Sequence, residues 1–321
     1  MPKRADYPDD ILRMAASLYY GDNLGQVEVA NLVRVSQTKI SRLLAAARER
    51  GIVRISVERY NPRHEALEQQ LRAKFRLPAA AVIKAARHAD RDAARQTVGH
   101  FGAPWIASLL PNPGIVALGG GRSVAEVVRR FRRSDARRLT VVQAMGSIDS
   151  NISPVDALEL GRTLVNLWGG EFLTLSTPAF VPDRKTRDTF LASGQIRSVW
   201  QRLRRADAAV VGVGPLDQSV YSDRGVLTPA DVEQLRGAGA VGEICGRFFD
   251  AHGAECPSPW RNRAISIELD LLRRIPQVIG VAAGADRAPA VAAALRGGLL
   301  KALLIDEDGA QALVSGAIAP P

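Results

Sequence analysis

The sequence predicts an α/β protein that carries a small helical domain at its N-terminus. Three observations lead there. Residues 26–50 repeat apolar side chains at helical spacing on either side of a short break. Beyond residue 62, short apolar runs alternate with segments of helical period. At 321 residues the chain can also hold a small domain and a large one with a sizeable core.

In chain order, Ile11, Leu12, Ala15, Ala16, Leu18 and Tyr19 form the stripe of a supporting helix. Val29, Ala30 and Val33 make the inner face of a short helix, with Val35 beneath the turn that follows. Ile40, Leu43 and Leu44 line the inside of a second helix, and the small Ala30 suits a close crossing, as in a helix-turn-helix. Arg34 occupies the turn position where Gly is usual, so a positive φ is expected there at some cost. Ser36 is the expected N-cap of the second helix and Gly51 its C-terminal stop. The apolar Ile52, Val53, Ile55 and Val57 then read as a short wing-like strand, which makes the domain, residues 1–59, a winged helix-turn-helix. Ser36, Gln37, Thr38, Lys39, Ser41 and Arg42 face outward near the N-terminal end of the second helix. Gln matches adenine, Arg matches guanine, and hydroxyls reach phosphates or base edges, so these residues point to double-stranded DNA. A plain helical hairpin shares the same inside and outside and stays open as the other reading.

The turn signal Asn61-Pro62 marks a boundary, and residues 60–321 form the second domain. Leu67, Leu71 and Phe75 predict a connecting helix ending before Pro78. Strands are expected at Ala80–Ile83, Gly114–Gly121 (strand into glycine turn), Leu139–Gln143, Glu171–Leu175, Ala208–Val213, Gln277–Ala282 and Leu300–Ile305. Helices are expected at Asp156–Leu167, Arg197–Arg205, Pro229–Arg236 and Ala288–Leu295, and RSVAEVVRRF follows the first glycine turn as another. This alternation predicts a largely parallel sheet with helices on both faces.

Ligands of such sheets sit beyond the carboxyl ends of the strands. Two turns there are candidates. Gly119-Gly120-Gly121-Arg122-Ser123 opens a helix, where backbone N–H groups, the helix N-terminus and the two side chains would all favour an anion. Gly212-Val213-Gly214 is followed by Asp217 and Ser219, and Asp217 is a candidate acceptor for sugar hydroxyls. Both are also ordinary strand-to-helix punctuation. No Lys-Ser or Lys-Thr follows the triple glycine, so ATP is not expected.

Forty-three Lys and Arg against 33 Asp and Glu leave a formal charge of +10, which favours polyanionic partners. The excess is diffuse: residues 1–60 hold ten basic and seven acidic residues. The run Arg129, Arg130, Arg132, Arg133, Arg137, Arg138 reads as a solvated face. The N-terminal stretch lacks the apolar core of a signal peptide and no segment reaches transmembrane length, so a cytoplasmic protein with no membrane partner is expected. Cys245 and Cys256 match no zinc or redox spacing, and His64, His88, His100 and His252 are scattered. No metal or cofactor is expected.

VSQTKISRLLAAARERGIVRI, GGGRS, RADAAVVGVG, GAVGEICGRFFDAHG, RRIPQVIGVAAG and AALRGGLLKALLIDE together resemble the SorC-type transcriptional regulators (deoxyribonucleoside or central glycolytic gene regulators), across nearly the whole chain. The resemblance implies a winged helix-turn-helix joined to a sugar-binding domain with a phosphosugar-isomerase-like fold. It also implies a homo-oligomer, commonly a tetramer, whose operator affinity responds to a sugar or phosphosugar. The family loop usually reads Gly-x-Gly-Trp-Gly-x-Thr, whereas this chain has Gly120 at the Trp position and Ser123 at the Thr position. Arg287 stands where a Lys is usual. Carried over residue by residue, Gly119, Gly120, Gly121, Arg122 and Ser123 become the phosphate loop, Asp217 and Glu243 hydroxyl acceptors, and Arg287 an anion clamp. Glu243 belongs, on the other reading, to a surface turn. The competing class is an isomerase-like or lactonase-like enzyme fused to a helix-turn-helix. Asp217, Glu243 and Asp306 are its candidate carboxylates, but no His lies beside the strand-end motifs, so no catalytic residue is assigned.

Overall fold

In the computed structural model, seven parallel strands form the centre of the larger part of the chain. They are β1 (Ala79–Ile83), β2 (Gly114–Leu118), β3 (Leu139–Gln143), β4 (Gly170–Leu173), β5 (Ala208–Gly212), β9 (Gln277–Val281) and β10 (Ala302–Asp306), in the spatial order β1-β10-β9-β5-β2-β3-β4. A second, antiparallel sheet runs β6 (Gly214–Pro215), β7 (Gly242–Ile244), β8 (Arg247–Phe249). The structure describes residues 7–58, 60–84, 90–134, 137–217 and 219–316. His88 and the boundary residue Arg59 therefore lie outside the described residues. Two units emerge, Met1–Asn61 and Pro62–Pro321.

Apart from the edge strand β4, the strands are apolar almost without interruption because both faces of the sheet are buried. Alternate residues divide between two cores: Ala81, Ile83, Val116, Leu118, Val141, Val210 and Leu304 face one, and Ala80, Val82, Ala117, Val142, Ala209, Val211 and Leu303 the other. Helices α5 (Arg91–Leu109), α6 (Arg122–Arg130) and α7 (Ala157–Trp168) cover the first face. Helix α4 (Glu65–Phe75) and the helices Gly194–Leu203, Ala288–Arg296 and Glu307–Ser315 cover the second.

The sequence patterns did not reveal α5, whose Gly99, Gly102 and Pro104 read locally as helix breakers. Packing explains two of them. A Cβ at Gly99 would lie 2.6 Å from the Glu126 backbone of α6, and one at Gly102 would lie 2.4 Å from the Leu304 side chain. The β7–β8 hairpin was equally hidden. Its two central residues, Cys245 and Gly246, have φ of 51° and 73°, the positive pair that a type I′ turn requires.

The N-terminal unit holds α1 (Asp9–Ala16), α2 (Gln26–Val33) and α3 (Gln37–Glu49) around Leu12, Ala15, Val29, Ala30, Ile40, Leu43, Leu44 and Ala47. Arg34 adopts φ 54°, and the Val35 N–H closes the turn on the Ala30 carbonyl. Ser36 Oγ accepts from the Lys39 N–H at 3.2 Å. Gly51, at φ 72°, ends α3 while the Val53 N–H reaches back to Ala47. The wing is a correction. Residues 52–57 form no strand; Ile52 and Val53 pack partly against the helices, whereas Ile55 and Val57 are exposed and their segment has no strand partner among the described residues. Alternating apolar residues make a strand only where a neighbour supplies the ladder.

Candidate functional site

All six candidate DNA-facing residues, Ser36, Gln37, Thr38, Lys39, Ser41 and Arg42, are exposed, on the side of α3 opposite the buried Ile40, Leu43 and Leu44. The Ser36 cap holds the first turn of α3, so the N-terminal end of that helix is formed and presented to solvent.

The second site follows from the sheet order. From β2 the chain proceeds outward to β3 and β4, and from β5 it proceeds the other way, to β9 and β10. Connections that leave in opposite directions open a crevice at the carboxyl ends of β2 and β5. A cleft lies there, walled by Gly120–Ser123, Gln143, Met145, Gly212–Gly214, Tyr221, Glu243, Cys245 and Arg287 among others.

Gly121 adopts φ 121° and ψ 158°, a conformation open essentially to glycine alone, and it turns β2 directly into α6. The first N–H groups of α6, which have no acceptor within a helix, begin immediately behind it. Ser123 is buried on this wall, and Arg122 lies at the rim with its guanidinium 3.4 Å from Asp223. Arg287 is buried and donates to the carbonyls of Ala283 and Val213, at 3.1 and 3.4 Å. Burial holds its pKa below the ordinary value; Asp286 opposes this, while Arg122 and Arg95 add to it. An arginine stays charged regardless, so positive charge is concentrated beside the glycine loop.

The β7–β8 hairpin brings in the opposite chemistry. Glu243 is a buried strand residue rather than part of a surface turn. Its Oε2 accepts from the Gly246 N–H at 2.9 Å, and its Oε1 lies so close to Gly214 that a Cβ there would sit 2.5 Å away. Burial pushes its carboxyl up to about 7, against the Gly246 hydrogen bond and the Arg287 charge. Burial likewise raises the thiol of Cys245, on the same hairpin, so it faces the cleft as an unreactive thiol.

Over the mouth runs a strap, residues 147–156, between β3 and α7. The Val155 carbonyl accepts from the Gly121 N–H at 2.8 Å. Arg224 ties the strap down, with 2.6 Å contacts to Asp149 Oδ2, Asp156 Oδ1 and the Asn151 carbonyl. The hydrogen bond from Arg224 holds the Asp149 carboxyl below its ordinary range, against burial. Strap and loop meet at Gly120, where a Cβ would come within 3.0 Å of both the Val155 carbonyl oxygen and the Ala157 nitrogen. In this arrangement there is no room for an indole at that position.

Of the sequence candidates, Gly120, Gly121, Arg122, Ser123, Glu243 and Arg287 line one cleft, as does Ser219. Two do not. Gly119 sits below the cleft, donating to the Val210 carbonyl, with Cys245 Sγ 3.0 Å from where its Cβ would be. Asp217 is exposed and paired with Arg236, so it is corrected from a ligand acceptor to a surface ion pair. Gln143, Met145, Asp156, Tyr221 and Cys245 were missed. Gln143, the last residue of β3, could have been found by the strand-end rule used for the glycine turns; Tyr221 follows a short connection with no such signal.

A family model described as "Putative sugar-binding domain" matches residues 62–315. The chain is 29% identical to the uncharacterized transcriptional regulator YjhU of Escherichia coli K12 over 316 residues, 96% of this chain and 95% of that protein. It is 29% identical to the transcriptional regulator LsrR of the same strain over 307 residues, 93% and 92% of the two chains. The crystal structure of the full-length sorbitol operon regulator SorC from Klebsiella pneumoniae superposes with a TM-score of 0.72 at 26% identity, covering 96% of this chain and all of that one. With the domain match spanning most of the sequence and a shared end-to-end architecture, the chain belongs to the SorC-type family of sugar-binding-domain transcriptional regulators.

Proposed function

We propose that the chain binds operator DNA through the N-terminal end of α3 and that a phosphorylated sugar in the switch-point cleft controls this affinity. One observation carries the reading. A glycine loop at a helix N-terminus, two arginines and a buried carboxylate converge on a single crevice at the switch point of the sheet. Arg122, Ser123 and the α6 N-terminus suit the phosphate, and Arg287 adds the buried charge. Glu243 suits sugar hydroxyls. On DNA, Gln37 and Arg42 would read base edges while Ser36, Thr38, Lys39 and Ser41 reach phosphates or bases.

Control requires the effector to bind the DNA-competent and DNA-incompetent arrangements unequally. A homotetramer, as in the family expectation, would supply repeated recognition helices and hence repeated or inverted half-sites in the operator. Among the described residues no helix is long and apolar enough to cross a membrane, and we place the regulator in the cytoplasm. The cleft is read as non-catalytic. Isomerisation needs an acid and a base at adjacent carbons, and Asp156, the cleft's second carboxylate, is tied up by Arg224.

A thermal-shift series against sugars, sugar phosphates and polyols tests this reading, with Arg122→Ala in parallel. Stabilisation by a phosphosugar that is lost in the variant, together with a changed mobility shift on operator DNA, is expected. Stabilisation by neutral sugars alone would remove the phosphate assignment, and no stabilisation by any of them would remove the sugar effector.

A further inference from the structure

The lining of the cleft contains a buried hydrogen-bond donor that the protein itself barely uses. Tyr221 is 2% exposed and lines the cleft. Among the described residues its hydroxyl has one partner, the Met145 thioether, at 3.5 Å. A thioether is a weak acceptor, and a buried O–H without a good acceptor costs free energy that a bound oxygen would recover.

The hydroxyl is also held in place. The ring meets Phe180 edge-on at 5.3 Å between centroids and Phe248 at 6.4 Å. Its backbone N–H donates to Ser219 Oγ at 3.2 Å, fixing the start of the short helix Val220–Asp223. The phenol sits close to Gly246, where a Cβ would be 3.2 Å from the hydroxyl. Gly246 is the residue whose N–H holds the Glu243 carboxylate. Burial first, then the nearby Glu243, Cys245 and Asp156, keep the phenol protonated far above its ordinary range, so it remains a donor at any physiological pH.

We propose that Tyr221 is a specificity-determining residue of the cleft, donating its hydrogen to a hydroxyl or carbonyl oxygen of the effector. This rests on the effector reading above and deepens it. The ligand has an anion at the glycine loop and, besides it, an oxygen that accepts from Tyr221. A site built around an unshared donor rejects an analogue lacking the acceptor more strongly than an apolar pocket rejects a change of size.

The test uses the full chain and calorimetric titration with three probe sets: hexose and hexitol 6-phosphates, their singly deoxygenated analogues, and inorganic phosphate. Tyr221→Phe keeps the ring and its aromatic neighbours, and circular dichroism checks its fold. The variant is expected to weaken the best-bound phosphosugar by about tenfold while leaving inorganic phosphate unchanged. In the wild type one deoxy analogue should bind about tenfold more weakly than its parent, and in the variant that difference should vanish. The wild-type comparison stands even if the variant does not fold. Equal affinities in wild type and variant, or no discrimination between parent and deoxy analogues, would overturn the role of Tyr221 and leave the effector reading intact. No binding of any phosphosugar to the wild type would overturn both.

Discussion

Replacing Glu243 with Gln is expected to make the protein more stable in alkaline than in acidic buffer relative to wild type. The buried carboxyl has its pKa pushed from the ordinary 4.5 up to about 7. A raised pKa means that the folded protein holds this proton more tightly than the unfolded chain does. Glu243 therefore favours folding fully below pH 4.5, and this contribution is lost as the pH rises through 7. At about 1.4 kcal/mol per pKa unit, the loss totals about 3 kcal/mol, of which about 2.5 kcal/mol falls between pH 5 and 8. Gln keeps an acceptor for the Gly246 N–H and does not titrate. Urea unfolding of both proteins at pH 5 and 8, without ligand and at one protein concentration, measures the effect, because other titrating groups cancel in the difference. Tryptophan fluorescence reports the right unit, since Trp105, Trp168, Trp200 and Trp260 are the chain's four tryptophans and all lie beyond residue 62. A stability difference between Gln and wild type that does not change with pH would refute the reasoning, by showing Glu243 in the same charge state throughout.

Three further outcomes are expected. Arg42→Ala should weaken operator binding in a mobility shift at fixed salt while leaving phosphosugar stabilisation in place; unchanged DNA affinity would move the reading surface away from this part of α3. Gly121→Ala meets no atom within 4 Å, so its cost is backbone strain alone at φ 121°. It should lower the stability of the larger unit by about 1–3 kcal/mol, and an unaltered fluorescence melt would count against that strain. Arg224→Met removes the contacts to Asp149, Asn151 and Asp156, so amides of residues 147–156 should exchange hydrogen faster by mass spectrometry. Unchanged exchange would mean that the strap is held by other contacts.

Much of the architecture was legible because it is written in local periodicity. Helices α2 and α3, the Ser36 cap, the positive φ of Arg34 and the Gly51 stop all depend on residues within one or two turns of each other. Six of the seven parallel strands announce themselves as apolar runs because both faces are buried, whereas β4, at the edge of the sheet, exposes Gly170 and Glu171. The wing failed for the complementary reason: residues 52–57 carry a strand's alternation, but a ladder needs a partner that pattern alone does not supply.

At the cleft, local chemistry picked out the glycine loop, Arg122 and Ser123, and family resemblance added Glu243 and Arg287. Asp217 was misplaced because nothing near it in the chain shows that Arg236, nineteen residues on, would pair with it. Tyr221, Gln143 and Asp156 come together only through the order β9-β5-β2-β3 and the strap folding over Gly120. The sequence by itself marked helices α2 and α3, the parallel strands and the glycine turn after β2, because propensity, capping and hydrophobic period act over a few residues. Tertiary structure alone decided which side chains face one another, how deeply Glu243 is buried and therefore its protonation, and which donor is left without a strong acceptor. Burial and pairing across the fold depend on contacts between distant segments, which local pattern does not encode.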